Sequence, residues 1–303
     1  MQSLAFGAVI QHITPEHLSD IPVPDAPAEI RRRIHDLIAQ SYALRDESNT
    51  MLDDAESLMV NALNLPPVDD MRPGGEVLAF EASSADFISS GRFDASYHSP
   101  LFGEIVRHLQ DNAGEVLSVG NERVSRDIIL PGRFKRVYVS EGYGAVFIGG
   151  KQLGELDPAD KKYLSFSQHE DRIRDELTIH TNMILITCSG TIGNVALVPE
   201  HWDGWTASQH IIRVVPASEN IAGYAYVFLA SEWGRELLRR YKYGAVIDEI
   251  NAEHVGDVPF PILRDKGIQE RVNSLALEAN SRRYEAWRLE REAMRIMESE
   301  VLG

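Results

Sequence analysis

The chain carries nearly the same eighteen residues twice, far apart in its sequence. Gly7–Pro24 reads GAVIQHITPEHLSDIPVP and Gly244–Pro261 reads GAVIDEINAEHVGDVPFP, so ten of eighteen positions are identical at a constant offset of 237 (244 − 7). Solenoid repeats recur about every 20–50 residues, so this spacing belongs to another architecture. The repeat predicts two equivalent positions in a pseudo-symmetric molecule, with one complete globular unit between them.

A long helix is predicted after each copy of the repeat, because apolar and small residues recur in alternating steps of four and three. The first helix should begin near Pro27 or Ala28 and end before Pro66-Pro67. The second follows in the same phase, 238 residues later. Small residues recur every seven positions and let two helices approach closely, so we predict that the helices pair antiparallel. The alternative is that each packs only on its own domain. The predicted helix-pairing residues are Ile30, Ile34, Leu37, Leu44, Met51, Leu58, Ile268, Val272, Leu275, Leu289 and Ile296.

Between the helices the pattern predicts a mixed α/β domain. Helices are expected at Pro100–Asn112 and Tyr224–Tyr241, and Lys162–Glu176 is expected to be a loop or short helix. Short runs rich in β-branched residues predict strands. They are Val137–Val139, Ala145–Ile148, Met183–Thr187, Val195–Val198 and His210–Val215, with a short strand and turn at Val77–Phe80 and Phe87–Ile88.

The composition restricts the compartment and the partners. A net charge of −16 argues against a free-standing nucleic-acid binder, because phosphate neutralisation supplies most non-specific affinity. Cationic residues nevertheless cluster locally, and binding faces are local. The single Cys188 excludes an internal disulfide and is expected to be a small buried residue. The chain shows no signal-peptide pattern and no run of about 18 apolar residues, so we expect a cytoplasmic protein without a membrane partner.

Catalytic signatures are absent from the sequence. There is no phosphate-binding loop, no nucleophile elbow, no HExxH motif and no zinc-type cysteine spacing, so no catalytic or metal-binding residue is predicted. The His169-Glu170-Asp171 run and the Asp248-Glu249 pair are interpreted as solvated surface. Ser189–Asn194 (SGTIGN) follows a predicted buried strand, and its small polar residues suit either a ligand contact or a tight β-turn. Trp202 and Trp205 are expected to pack rather than to stack on bases.

Several segments together resemble the specificity subunits of type I restriction–modification systems. The segments are GRFDASYHSP (Gly91–Pro100), PGRFKRVYV (Pro131–Val139), MILITCSGTIGNVALVP (Met183–Pro199), TASQHIIRVVP (Thr206–Pro216), YVFLASEWG (Tyr226–Gly234) and the second repeat copy. The resemblance covers nearly the whole chain.

The resemblance implies a domain organisation. Residues 1–25 would be the closing element of a truncated first recognition domain, residues 26–66 the first spacer helix, residues 67–262 a target recognition domain and residues 263–303 the second spacer helix. In this family the paired helices separate two recognition domains and dock methyltransferases. The departure is at the N-terminus, where about Leu4–Pro24 alone represents the first domain.

The implied function is non-catalytic recognition of one half of a bipartite DNA site. The implied partners are double-stranded DNA, adenine-N6 methyltransferase subunits, restriction or translocase subunits, and a second half-subunit or second copy. No cofactor is expected on this chain; S-adenosylmethionine, ATP and Mg would sit on partner subunits. Candidate DNA contacts are Arg133, Lys135, Arg136, Lys151, Gln152, Lys162, Ser189, Thr191, Asn194, Gln209, His210 and Lys242. Alternatives are the detached recognition region of a fused methyltransferase–endonuclease, or a coiled-coil scaffold that does not bind DNA.

Overall fold

The computed structural model describes residues 14–72 and 79–303. The chain forms two compact units, one of residues Met1–Ala43 and Ala286–Gly303 and the other of residues Leu44–Glu285. Each unit contains a portion of both long helices. Residues 1–13, which include Gly7–Ile13 of the first repeat copy, and residues 73–78 lie outside the described part of the chain.

The helices of the described residues are numbered in chain order. They are α1 (Pro15–Ser19), α2 (Ala28–Leu63), α3 (Val68–Met71), α4 (Ser84–Ser90), α5 (Pro100–Asn112), α6 (Phe166–Arg172), α7 (Glu219–Ala230), α8 (Glu232–Arg240), α9 (Ala252–Gly256) and α10 (Lys266–Ile296). The strands are β1 (Glu115–Ser118), β2 (Ser125–Ile129), β3 (Tyr138–Val139), β4 (Gly144–Ile148), β5 (Lys162–Ser165), β6 (Ile184–Thr187), β7 (Val195–Leu197), β8 (Thr206–Ala207), β9 (Ile211–Pro216) and β10 (Pro259–Ile262).

The two long helices, α2 and α10, pair antiparallel within each unit. In the first unit the Ser41 hydroxyl donates to Glu290 at 2.9 Å. In the second unit the Ser48 hydroxyl donates to the main-chain carbonyl of Ala279 at 2.9 Å. A side chain as short as serine reaches the partner backbone only where two helices lie very close. The predicted mixed α/β fold with antiparallel helix pairing is therefore confirmed.

The small residues of the heptad pattern are the buried ones. Three successive small residues spaced seven apart in α2, and three in α10, are fully or almost fully buried, whereas the larger seam residues of α2 are half-buried. The buried small residues are Ser41, Ser48, Ala55, Ala279, Ala286 and Ala293. Of the predicted pairing residues, Val272, Leu275 and Ile296 are buried, and Ile30, Ile34, Leu37, Leu44, Met51, Leu58, Ile268 and Leu289 are half-buried. The seam is thus built on small residues, with the aliphatic side chains flanking it.

The described residues of the second unit form three small sheets. Their strand orders are β2-β9-β6-β7, β3-β5-β4-β8 and β1-β10. The β6 strand is buried at all four positions, because it lies between β9 and β7 and is covered by the largest apolar cluster. That cluster also takes in the end of α2 through Met59 and Leu63. The second unit therefore includes the C-terminal end of α2 within its core.

Residues 14–19 and 251–256, which are equivalent parts of the two repeat copies, form the same local structure. In each, an N-cap side chain accepts a hydrogen bond from the backbone of a histidine three residues later, while that histidine side chain lies against the N-cap backbone. The pairs are Thr14 with His17 and Asn251 with His254. Such a reciprocal capping box satisfies two of the free N–H groups at a helix start. Similar sequences at an offset of 237 thus produce equivalent short helices, α1 and α9.

The two copies differ sharply in burial. In the second copy, β10 pairs with β1. Directly after β1 the Val119 N–H donates to the Val258 carbonyl at 2.9 Å, and Val258 and Phe260 are fully buried. In the first copy, Leu18 is 49% exposed and Val23, the counterpart of Phe260, is 84% exposed. The element is therefore part of the core in the second copy, whereas its apolar side chains are exposed in the first copy.

Several predicted elements are confirmed and some are wrong. The α5 helix has the predicted bounds, and α2 ends before Pro66 as expected. Phe87–Ile88 lies in a helix and not in the predicted strand and turn, because Ser83 and Asp86 cap α4 and Gly91 ends it at φ +63°. Lys162–Glu176 contains the β5 strand as well as a helix. Half of the predicted strand at Val77–Phe80, residues 77 and 78, lies outside the described residues, and residues 79 and 80 are not in a strand.

The predicted helix Tyr224–Tyr241 is two helices, α7 and α8, that meet at Ser231. The Ser231 side chain caps α8 by accepting the Gly234 N–H at 3.2 Å. A Cβ at Gly234 would lie 2.1 Å from the Phe228 carbonyl oxygen, so glycine permits the close approach of the two helices. A continuous apolar pattern concealed this break, because the capping serine is also compatible with a helix interior.

The repeat copies provide a matched pair of variants for stability. We expect Phe260→Ala to lower the free energy of unfolding by about 3–5 kcal/mol, because it opens a cavity in the core. The equivalent Val23→Ala should change it by no more than about 0.5 kcal/mol, because Val23 is exposed. Chemical denaturation of both variants tests this difference. Equal losses in the two variants would contradict the contrast in burial.

Candidate nucleic-acid interface

Five of the predicted DNA contacts line one groove of about 610 Å³ in the second unit. They come from separate elements: the segment before β3, the turn after β4, the start of β5 and the turn before β9. They are Arg136, Lys151, Gln152, Lys162 and His210. This set of residues, with the groove that they line, is called the cationic groove below. Its lining contains three cations and two carboxylates, Glu155 and Asp160, in a chain whose net charge is −16.

Aromatic rings hold two of these cations in place. The Arg136 guanidinium lies 5.3 Å above the centre of the Phe147 ring, and the Lys162 ammonium lies 5.4 Å above the Tyr138 ring. The two rings meet edge to face at 5.9 Å between centres. Cation–π contacts of this kind orient a charge without neutralising it. Both cations therefore keep their full charge for an anionic ligand.

The two glutamines predicted as base contacts are differently placed. Gln152 is occupied at both ends of its amide, since it accepts the Gly149 N–H at 2.8 Å and donates to the Asp160 carbonyl at 3.1 Å. It pins the turn after β4. Gln209 accepts from Arg136 at 2.8 Å and lies 3.1 Å from the His210 ring nitrogen. The Gln209 amide is thus also occupied at both ends, but by two side chains that line the cationic groove instead of by main-chain groups.

A second group of predicted DNA contacts lies beside Asp248 and Glu249, the pair that the sequence analysis interpreted as solvated surface. Arg133 pairs with Glu249 at 2.9 Å, and the Ser189 hydroxyl donates to the same carboxylate at 3.4 Å. Lys242 pairs with Asp248 at 3.5 Å. Thr191 and Lys242 line a neighbouring groove of about 470 Å³ with Gly190, Arg72 and Arg239 among its other residues. Here each predicted cation already has a protein anion, so this group is electrostatically weaker than the cationic groove.

The SGTIG segment is an ordered turn. Gly190 and Gly193 adopt φ values of +77° and +86°, which glycine accepts without strain. The Thr187 hydroxyl donates to the Thr191 carbonyl and accepts the Asn194 N–H at 3.0 Å. The Gly190 N–H in turn donates to the Asp248 carbonyl at 2.9 Å. The turn therefore holds the loop that carries Asp248 and Glu249, which is the tight-turn alternative left open by the sequence.

The remaining predicted residues lie outside both grooves. Lys135 and Asn194 are exposed and line neither of them. Trp202 is buried and stacks on Trp205 at 5.5 Å, as expected for packing residues. Cys188 is buried, and burial raises the pKa of its thiol to about 12.

Sequence reasoning missed Tyr138, Phe147 and the groove carboxylates. Tyr138 and Phe147 lie on strands that were predicted, but which strands are neighbours cannot be inferred from a single pattern. Glu155 and Asp160 lie in a segment for which no element was predicted. The signal that was available is the alternation of Arg136 and Tyr138 within one extended segment, since alternate residues of a strand share a face.

His210 is held in its neutral form. Burial lowers the pKa of its imidazole, and the nearby Arg136 and Arg133 guanidiniums lower it further, while Glu249 acts in the opposite direction. A neutral imidazole carries one donor and one acceptor, so it can match the edge of a base. In the cationic groove His210 is therefore suited to hydrogen bonding rather than to phosphate attraction.

Residues 14–72 and 79–303 contain neither a metal-binding cluster nor a membrane-spanning helix. No group of three or more His, Cys, Asp or Glu side chains is arranged there to hold a metal ion. None of the helices described in that part of the chain is long and apolar enough to cross a membrane.

Comparison with known proteins gives structural likeness only. No protein-family model matches the chain, and no curated protein matches it. The S subunit of the type I restriction–modification system from M. genitalium is 12% identical with a TM-score of 0.38, and the match covers 98% of this chain and 65% of that one. The HsdS subunit from Thermoanaerobacter tengcongensis is 14% identical with a TM-score of 0.41, covering 98% and 64%.

A third structure comes from work on complex assembly and conformational transition of the type I restriction–modification system. It is 13% identical with a TM-score of 0.41, covering 90% of this chain and 60% of that one. Two of the three structures are thus named as S subunits, and the third comes from work on a type I restriction–modification system. The chain spans about 60–65% of the length of the three chains that it matches.

The state of His210 gives a direct test of the groove geometry. We expect its imidazole to titrate below the ordinary histidine value, because the ring is partly buried and two guanidiniums disfavour its positive charge. An NMR titration with the His210 signal identified by a His210→Asn variant measures this. Replacing Arg136 with Gln should raise the pKa of His210. An ordinary value in the unmodified chain would mean that the ring lies in open solvent.

Proposed function

We propose that this chain is the DNA-recognition subunit of a type I-like restriction–modification complex and reads one half of a bipartite site. The observation that carries the proposal is the cationic groove. Residues chosen from sequence alone as DNA contacts, and spread from Arg136 to His210, line a single groove between strand ends.

The chemistry of the groove divides into two roles. Arg136, Lys151 and Lys162 would contact phosphates, which fix the position of a protein on the duplex. Gln209 and the neutral His210 would meet base edges, since each base pair presents a distinct donor and acceptor pattern in the major groove. Because Arg136 donates a hydrogen bond to Gln209, a phosphate contact and a base contact would lie next to each other.

The acidic remainder of the chain implies that binding is shared. Three cations in one groove neutralise few phosphates, and a net charge of −16 opposes approach to DNA. Adenine-N6 methyltransferase subunits docked on α2 and α10 would supply further phosphate contacts and the flipped-base chemistry. S-adenosylmethionine, and ATP and Mg for any restriction or translocase subunit, would then be bound by those partners.

The exposed copy of the repeat points to a second recognition domain. Residues 251–262 close the domain of this chain by pairing with β1. Residues 14–24 repeat that element with Leu18 and Val23 uncovered. We propose that they close another domain of the same kind, which would read the other half of the site.

The phosphate role is tested with two adjacent lysines. Lys162 lines the cationic groove, whereas Lys161 pairs with Asp157 and lies over Trp205. Both variants, Lys162→Ala and Lys161→Ala, remove one positive charge. For the chain assembled with its methyltransferase, we expect Lys162→Ala to reduce the slope of log K against log salt by about 1, because one phosphate contact is lost.

The matched control decides the interpretation. Lys161→Ala should leave the salt slope unchanged within error, since it carries the same change in net charge outside the groove. Equal slopes for both variants would mean that the groove does not face DNA. Absence of DNA binding by the unmodified assembly would instead favour a scaffold that uses only its paired helices.

A further inference from the structure

An arginine lies fully buried in the centre of the second unit. Arg213 is on β9, the strand between β2 and β6, and has no exposed surface. Burial lowers the pKa of its guanidinium to about 9, so the group is still protonated at neutral pH. Buried cations are normally paired with a carboxylate, because desolvation of a charge is costly. None of the hydrogen bonds that this side chain makes within the described residues goes to a carboxylate.

The guanidinium instead donates only to main-chain carbonyls. One terminal nitrogen donates to Ser208 at 3.0 Å and to Ile211 at 2.6 Å. The other donates to Leu177 at 3.2 Å and to Ala207. Three of the four carbonyls belong to the short segment of residues 207–211, which leads into β9. The planar guanidinium of arginine has its donors in fixed directions, so these hydrogen bonds fix the orientation of the carbonyls of the segment.

This segment carries the two side chains that are suited to base edges. Gln209 and His210 lie between the gathered carbonyls of Ser208 and Ile211 and are only partly buried. The backbone of His210 is held on both sides: its N–H donates to the Ser208 hydroxyl at 3.1 Å, and its carbonyl accepts the Cys188 N–H at 3.0 Å. With the carbonyls drawn inward, His210 lines the cationic groove and Gln209 meets Arg136.

We propose that Arg213 is a positioning residue for DNA sequence discrimination, which it exerts by fixing the orientation of Gln209 and His210. The proposal rests on the proposed DNA-recognition function. A residue that merely filled the core would need no charge, and an apolar side chain of similar length would pack there at lower desolvation cost. The retained charge is explained by its four carbonyl contacts, three of which are to the segment bearing the groove residues.

The test compares Arg213→Met, which keeps the length and removes the fork, with Arg213→Lys, which keeps the charge but offers a single ammonium group. Two measurements are made on each folded variant. The first is the NMR titration of His210, whose charged neighbours are Arg136, Arg133 and Glu249. The second is selection from a random-sequence duplex pool by the chain assembled with its methyltransferase.

With Arg213→Met we expect the His210 pKa to rise towards its ordinary value and the preference for the selected sequence over an unrelated duplex to fall about tenfold or more. Affinity for the unrelated duplex should change less than about twofold, because the phosphate contacts remain. For Arg213→Lys, both the His210 pKa and the sequence preference should lie between those of Arg213→Met and those of the unmodified chain. Gln209→Ala serves as a control: it should lower preference while leaving the core untouched.

Unchanged His210 titration and unchanged sequence preference in a folded variant would overturn the proposal. If neither variant folds, Arg213 acts in the core alone and the proposal is likewise overturned. If the unmodified assembly selects no sequence, the proposed function fails, whereas the His210 titration still decides whether Arg213 orders the segment.

Discussion

Close approach of α2 and α10 is the constraint on which the arrangement of the described chain depends. The contact from the Ser48 hydroxyl to the Ala279 carbonyl requires two backbones at near-minimum separation. Only small residues permit this, and they recur every seven positions in both helices. Because both units contain portions of both helices, each unit depends on the same pairing. A large residue at any buried small position would separate the helices and, in the second unit, disturb the core that α2 enters.

The charge distribution explains how an acidic chain could serve in DNA recognition. A net charge of −16 describes the whole chain, whereas the cationic groove is held by local contacts. Aromatic rings orient Arg136 and Lys162 without cancelling their charge. Near the SGTIG turn, by contrast, Glu249 and Asp248 neutralise Arg133 and Lys242. This difference in pairing, rather than the number of cations, distinguishes the stronger candidate surface.

Local patterns in the sequence predicted much of the fold. The heptad steps gave α2 and the antiparallel pairing, and the β-branched runs gave β4, β6 and β9. The break at Ser231 was missed because capping and interior serines look alike in sequence. The β1 and β10 strands were missed because their pairing joins residues more than 140 positions apart and β10 contains two prolines. Such contacts depend on the tertiary fold and leave little local signal.

The candidate site was also predictable only in part, because residue chemistry is visible in the sequence whereas tertiary contacts are not. Residue chemistry selected Arg136, Lys151, Lys162 and His210, which the fold then brings to one groove. Chemistry alone could not exclude Gln152, whose amide is occupied by its own turn, or show that Glu249 faces Arg133. The burial of Arg213 could not be predicted, because within the HIIRVV segment its position is that of an ordinary strand residue.

Mapping of adenine methylation across a genome tests the central claim most directly. Cells would express an adenine methyltransferase encoded beside this chain, with and without the chain itself. The proposed function predicts one methylated bipartite motif with a fixed gap that appears only when the folded chain is present. Methylation that is absent, or that is identical in both cultures while the chain is folded and bound to the methyltransferase, would contradict it.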